Sequence, residues 1–93
     1  MTHQEIKDIT KLIKGFKKEI ENIMPTIKQD IDHIISNHIE DVKEIENILD
    51  TLLDYLDLGY GEQEFKKLNK YYSTINKENS RFYSNFYNER FGK

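Results

Sequence analysis

The stretch "IENIMPTIKQDI", residues 20–31, decides how many helices this chain of 93 residues forms. Ahead of it and into it, apolar residues recur at spacings of three and four, the period of one helix face. They are Ile6, Ile9, Ile13, Phe16, Ile20, Ile23 and Ile27. Proline lacks the amide N–H and biases the residue before it away from helical angles. The pattern therefore predicts a first helix over residues 2–24, which Pro25 ends or kinks, unless "MPTI" forms the first turn of the next helix.

A similar apolar stripe continues without a break to residue 57. Its members are Ile31, Ile35, His38, Val42, Ile45, Leu49, Leu52 and Leu56. It predicts a second helix over residues 26–57, about 48 Å long at 1.5 Å per residue. Ile23, Ile27 and Ile31 are separated by four residues twice in succession, so the apolar register shifts at Pro25. This shift favours a chain reversal or a kink there over one uninterrupted coiled coil.

The segment "LGYGE", residues 58–62, predicts the end of the second helix, with Gly59 in the left-handed geometry that closes many helices. A third helix is predicted over residues 62–91. Its stripe consists of Phe65, Leu68, Tyr72, Ile75, Asn79, Phe82 and Phe86. The polar Asn79 leaves open a break into two short helices.

Three helices joined by short turns predict an all-α, elongated up-down-up three-helix bundle, with the second helix in the middle and coiled-coil-like packing. A break near Asn79 would make it a four-helix bundle. The whole chain, residues 1–93, is predicted to be a single domain. A long helical hairpin that forms a homodimer is the alternative.

The amino-acid composition indicates where the protein is located and what kind of genome encodes it. The chain has no cysteine, no apolar segment typical of a signal peptide and no apolar run long enough to cross a bilayer, so a cytoplasmic location is expected. Thirteen Ile and eight Asn, beside one Val and no Ala, are typical of an AT-rich genome. We interpret this as a hint of a low-GC bacterium, its phage or its plasmid.

The charges are unevenly distributed along the chain. Residues 29–64 contain eleven acids and one lysine, whereas residues 1–28 and 65–93 are both net basic. One interpretation is that Lys66, Lys67, Lys70, Lys77 and Arg81 face these acids inside the bundle. The other is an acidic ridge, formed by Asp50, Asp54 and Asp57, that binds a basic partner. An inhibitor that mimics DNA would be one example.

No pattern in the sequence indicates catalysis or a bound cofactor. Glycine-rich phosphate loops, GxSxG and HExxH are all missing from the sequence. His38 falls on the apolar stripe of the second helix, where a core histidine is the common case. His33, Glu40 and Glu44 on one exposed helix would make a poor metal site. We therefore expect no enzyme, no metal and no cofactor.

The end of the chain, "SRFYSNFYNERFGK", residues 80–93, contains five aromatic rings. The predicted helical period places Phe82 and Phe86 in the core and leaves Tyr87 and Phe91 outside it, with Arg90 beside them. This combination is typical of protein-binding hot spots. Direct nucleic-acid binding is disfavoured, because rings that fill a core are not free to stack on bases.

The sequence thus predicts a non-catalytic protein that binds another protein and covers a site on it, as an inhibitor or regulator from a phage or mobile element. The predicted binding residues are Asp50, Asp54, Asp57, Tyr87, Arg90 and Phe91. A DNA-mimicking inhibitor and a self-assembling scaffold protein are the alternatives.

Overall fold

Four helices make up the part of the chain that the structure describes. This computed structural model describes residues 3–92, with side chains from residue 9 onward. The helices are α1 (His3–Ser36), α2 (Val42–Leu56), α3 (Glu62–Tyr72) and α4 (Lys77–Phe91), and no strand occurs among residues 3–92. The all-α prediction is confirmed in its four-helix form. No helix in this range is long and apolar enough to cross a membrane.

The helices alternate in direction. Lys28 pairs with Glu64 and Asp32 with Lys67, so α1 and α3 run the same way. The contacts between α2 and α4 keep a constant separation along the chain, so these two helices also run the same way. The shortest helix, α3, packs against α1, α2 and α4. The prediction that the second helix lies in the middle is therefore wrong, because that position belongs to α3.

One hydrophobic core joins all four helices. Its buried side chains are Ile20, Met24, Ile27, Ile31 and Ile34 of α1, Ile45, Leu49 and Leu52 of α2, Phe65, Leu68 and Tyr72 of α3, and Tyr83 of α4. The contribution of α1 begins only at Ile20. Residues 9–19, ahead of it, lie outside the core.

Pro25 does not end the first helix, contrary to the predicted boundary at residue 24. α1 continues through it to Ser36. Pro25 and Glu21, one turn apart, are both exposed, so the carbonyl group that loses its N–H donor lies on the solvent side of the helix. Met24, Ile27 and Ile31 are buried on the other side and keep the segment helical.

The break falls instead at residues 37–41, inside the predicted second helix. His38 donates its amide to the carbonyl of Ile35 (3.3 Å) and Ile39 donates to Ile34 (3.0 Å), the two bonds of a Schellman motif. His38 has φ 51° and is exposed, so its predicted place in the core is wrong. The Asp41 side chain then accepts the amide of Glu44 (3.1 Å) and caps α2.

The predicted third helix is also two helices. α3 ends at Tyr72, and the Asn76 side chain caps α4 by accepting the amide of Asn79 (3.0 Å). Buried Asn69 and Ser80 then join α3 to α4: the Ser80 hydroxyl donates to the Asn69 carbonyl (3.0 Å), and Asn69 Nδ2 donates to the Ser80 carbonyl (3.2 Å).

This turn changes which face of α4 points inward. Ser80 and Tyr83 are buried and Tyr87 packs against the core, whereas Phe82 is 69% and Phe86 38% exposed. The sequence predicted the reverse for the two phenylalanines. The prediction is wrong because it extended the helical phase of α3 through a turn that resets it.

Replacing His38 with Gly tests the break. Glycine adopts the left-handed conformation without steric cost, so we expect His38→Gly to raise the free energy of unfolding by about 0.5–1 kcal/mol. In an uninterrupted helix the same change would lower it by a similar amount. Urea denaturation followed by circular dichroism measures the sign. His33→Gly, inside α1, is the matched control and should destabilise the protein.

Candidate protein-binding surface

The apolar stripe of α1 is covered along one half and uncovered along the other. Ile20, Met24, Ile27, Ile31 and Ile34 are buried. The same line continues toward the N-terminus through Phe16, Ile13 and Ile9, which are 49%, 42% and 45% exposed. Leu12 and Ile23 beside it are exposed as well. We call residues 9–19, ahead of the first buried residue, the arm.

The arm is basic. Lys11, Lys14, Lys17 and Lys18 are exposed, and none forms an ion pair with any side chain that the structure describes. Lys14 and Lys17 follow directly after Ile13 and Phe16, so they flank one side of the apolar stripe. We call the exposed line of Ile9, Ile13 and Phe16 the seam. The arm therefore combines an apolar seam with positive charge that no described side chain pairs.

A groove lies at the base of the arm, which we call the base groove. Its lining includes Phe16, Ile20 and Ile23 of α1 and Asp54 and Tyr55 of α2. Just beyond α2, Tyr60 donates its hydroxyl hydrogen to Glu21 Oε1 (2.6 Å) and fixes the connection to α1. This hydrogen bond raises the pKa of Tyr60.

A second groove, the shoulder groove, lies between α2 and α4. It is lined by Asp50, Leu53, Asp54, Phe82, Tyr83 and Phe86. The two exposed phenylalanines form its apolar side and the two aspartates its acidic side. Asp54 lines both grooves, so the exposed apolar surface runs from the arm past Asp54 to α4.

Polar contacts hold α2 and α4 in one register. Asn79 Nδ2 donates to Glu46 (3.1 Å), Tyr83 donates its hydroxyl hydrogen to Asp50 (2.8 Å), and Arg90 binds Asp57 through Nε (3.0 Å) and Nη2 (2.7 Å). Each pair is separated by 33 residues along the chain. A constant separation means that the two helices run parallel and in step.

Tyrosine hydroxyls, rather than lysines, bind the acids of α2. Tyr72 donates to Glu46 (2.6 Å) and Tyr83 to Asp50. Burial, and then the hydrogen bond to the carboxylate, raises the pKa of both tyrosines. A hydroxyl donates a hydrogen bond but carries no positive charge, so these contacts satisfy Glu46 and Asp50 without adding a cation to the acidic surface.

Of the five basic residues predicted to face the acids of residues 29–64, Lys66 and Lys67 pair with such acids, whereas Lys70, Lys77 and Arg81 form no ion pair with a described side chain. Lys66 pairs with Glu62 on its own helix, and Lys67 pairs with Asp32 of α1. Among the described side chains, seven of the eleven acids in residues 29–64 have no cationic partner: Asp30, Glu40, Asp41, Glu44, Glu46, Asp50 and Asp54. The acidic surface is therefore largely uncompensated.

The structure brings four of the predicted binding residues together at one end of the bundle. Arg90 is bound to Asp57, and Phe91 lies against Tyr87 with ring centroids 5.6 Å apart. The Tyr87 ring stacks on Phe65 at 5.5 Å, and its hydroxyl donates to Glu62. That bond, with the Lys66 ammonium, lowers the pKa of Glu62. These contacts within the chain give the four residues a structural role.

Asp50 and Asp54 lie apart from that cluster, in the shoulder groove. Asp50 is bound by Tyr83, whereas Asp54 has no hydrogen bond or ion pair to any described side chain. Asp54 is therefore the predicted binding residue whose side chain the fold leaves free.

The exposed apolar residues of the arm and of α4 were not predicted as site residues. The apolar spacing of the α1 stripe is the same whether or not a neighbouring helix covers it, and Ile9, Ile13 and Phe16 belong to the uncovered part. Phe82 and Phe86 were assigned to the core. No sequence signal separates a covered stripe from an uncovered one, because the difference depends on the length of the packed helices.

Comparisons with known proteins return nothing: no family model, no curated protein and no solved structure matches the chain. Within the described residues, no group of three or more His, Asp or Glu side chains is placed to hold a metal ion. The candidate site is thus defined by geometry, as the arm and the two grooves that meet at Asp54.

Replacing Tyr83 with Phe tests the hydrogen bond that joins α4 to α2. The ring still packs, but Asp50 loses its donor, so we expect the free energy of unfolding to fall by about 1 kcal/mol at pH 7. Because folding raises the pKa of Tyr83 above its ordinary value of 10.0, this contribution is complete below pH 10 and is lost as the pH rises further.

The measurement is urea denaturation of both proteins at pH 7 and at pH 10.5 to 11. The stability advantage of the unsubstituted chain should shrink at the higher pH. A constant difference between the two proteins would show that the hydroxyl does not carry it. Tyr55→Phe, on α2 and away from this contact, is the control.

Proposed function

We propose that this protein is a non-catalytic protein-binding module that uses the arm and the base groove to bind a partner and cover a site on it. One observation carries the proposal: a single apolar stripe is buried from Ile20 to Ile34 and exposed from Ile9 to Phe16. A role as an inhibitor or regulator in the cytoplasm, and an origin in a phage or mobile element of a low-GC bacterium, remain predictions from the sequence.

The binding mode is that of an amphipathic helix laid into an apolar groove. Such helices present anchors at i, i+3, i+4 and i+7, and Ile9, Leu12, Ile13 and Phe16 have this spacing. The lysines flanking the seam favour a partner groove with an acidic rim. Because the arm continues directly from the packed half of α1, it is held as a helix before it binds and loses little conformational entropy on binding.

The arm alone is a modest binding site. Burying the exposed parts of its four large apolar side chains contributes roughly 3–6 kcal/mol at about 0.8–1.5 kcal/mol each. Association itself costs at least about 4 kcal/mol. Tight binding therefore requires further contacts beside the arm, and the base groove, which begins at Phe16, supplies the nearest ones.

A photo-crosslinking amino acid placed at position 16 tests the proposal in the cells that make the protein. p-Benzoylphenylalanine keeps the ring of Phe16 and adds a benzoyl group to it, and the same group at position 18 is the matched control on the opposite face of the arm. We expect protein adducts from position 16 at several times the yield from position 18. Equal yields from the two positions, or no adduct at all, would refute the proposal.

A second candidate is an acidic surface that binds a basic, nucleic-acid-handling protein as a DNA mimic would. The seven acids without a cationic partner favour it. The crosslinking group at the exposed position 47, on α2, tests it. This candidate predicts adducts from position 47 rather than 16, and their loss between about 50 and 200 mM salt. Adducts that persist at high salt would count against it.

A further inference from the structure

We propose that the partner of the arm is a second copy of this chain, whose shoulder groove receives it, and that the two copies exchange arms across a two-fold axis. This inference rests on the proposed function, in that it requires the arm to bind protein. It goes further by naming the partner and the surface that the arm covers.

The arm and the shoulder groove carry opposite charges. The arm carries four lysines without ion pairs, and the shoulder groove carries Asp50 and Asp54, of which Asp54 has no partner within the described chain. Each copy thus has an unpaired basic surface and an unpaired acidic surface. A second copy supplies both missing counterparts at once.

The apolar surfaces match as well. The seam of Ile9, Ile13 and Phe16 on the arm is flanked on one side by Lys14 and Lys17. The shoulder groove has the same layout with the opposite charge, since Phe82 and Phe86 form its apolar side and Asp50 and Asp54 its acidic side. Phe82, the most exposed of the large apolar side chains described, would be covered by the seam.

Residues 9–15 of the arm line neither groove of their own chain. The arm and the buried half of α1 form one continuous helix, so the arm points away from the bundle that its own helix enters. Turning it back onto α4 would require a break in α1 near Ile20. A separate molecule meets no such restriction.

The two grooves meet at Asp54, next to the base of the arm. A two-fold axis near this point places each arm over the shoulder groove of the other copy, so every contact is made twice. Pairing of two arms along their seams is the competing arrangement. It brings together the flanking Lys14 and Lys17 of both arms and leaves Phe82, Phe86 and Asp54 uncovered.

Sedimentation velocity of the full chain, from about 1 to 200 µM, tests the inference. We expect a dimer that dissociates on dilution and weakens in 500 mM salt. Asp54→Lys should weaken dimerisation at least tenfold, and so should the double variant Lys14→Glu with Lys17→Glu. Asp30→Lys, the same charge change at an exposed site on the far half of α1, should leave it unchanged. Circular dichroism confirms that each variant is folded.

The decisive step is to mix the groove variant, Asp54→Lys, with the arm variant, Lys14→Glu with Lys17→Glu. The glutamate arm of one meets the lysine groove of the other, and the remaining arm and groove are unaltered, so the mixture should form a heterodimer that neither variant forms alone. Loss of dimer in Phe16→Asp without any effect of Asp54→Lys would indicate arm-to-arm pairing and overturn the inference. So would larger oligomers that grow with concentration.

A chain that stays monomeric at 200 µM would also overturn the inference. The proposed function is judged separately, by the crosslinks from position 16. Adducts with a different protein, together with a monomeric purified chain, would reject self-association and leave the arm as a binding surface. Absence of adducts from position 16 in cells, with a monomer in solution, would reject both.

Discussion

A mismatch in helix length determines what this bundle can bury. With 34 residues, α1 is about 51 Å long, whereas α2 and α4, with 15 residues each, are about 22 Å long, and α3 is shorter still. Three short helices packed at one end cover only about half of the long one. Residues 9–19 keep an exposed apolar face of the kind that helices normally bury. The exposed arm is thus a direct consequence of where the chain turns.

The register between α2 and α4 explains how the bundle tolerates its acidity. Like charges four residues apart, such as Glu46 and Asp50, destabilise a helix. Tyrosine hydroxyls and one arginine offset this cost at the contacts with α3 and α4. Because hydroxyls carry no positive charge, the contacts between Tyr72 and Glu46 and between Tyr83 and Asp50 fix the helices without placing a cation on this acidic surface. Fold stability and surface charge therefore have a common origin in these pairs.

Apolar periodicity was sufficient to predict an all-α bundle, and Gly59 was predicted in the left-handed geometry that it adopts, with φ 88°. The helix ends were harder to predict. Pro25 suggested a break that burial on the opposite face overrides, while His38 occupies a position that usually needs glycine. The pattern of Asp41 followed three residues later by Glu44 was the available signal for the start of α2. The exposed seam and the inward face of α4 depend on tertiary lengths and turns, which local sequence patterns do not contain.

We propose that the bundle covers one half of the α1 stripe and that a partner covers the other half. Amide hydrogen exchange along α1, measured at low and at high protein concentration, tests it most directly. We expect slow exchange over residues 24–34 at both concentrations, and fast exchange over residues 9–19 that slows markedly at high concentration. An arm whose exchange does not change with concentration would contradict only the pairing of two copies, whereas equal protection of both halves in dilute solution would contradict the division of the stripe itself.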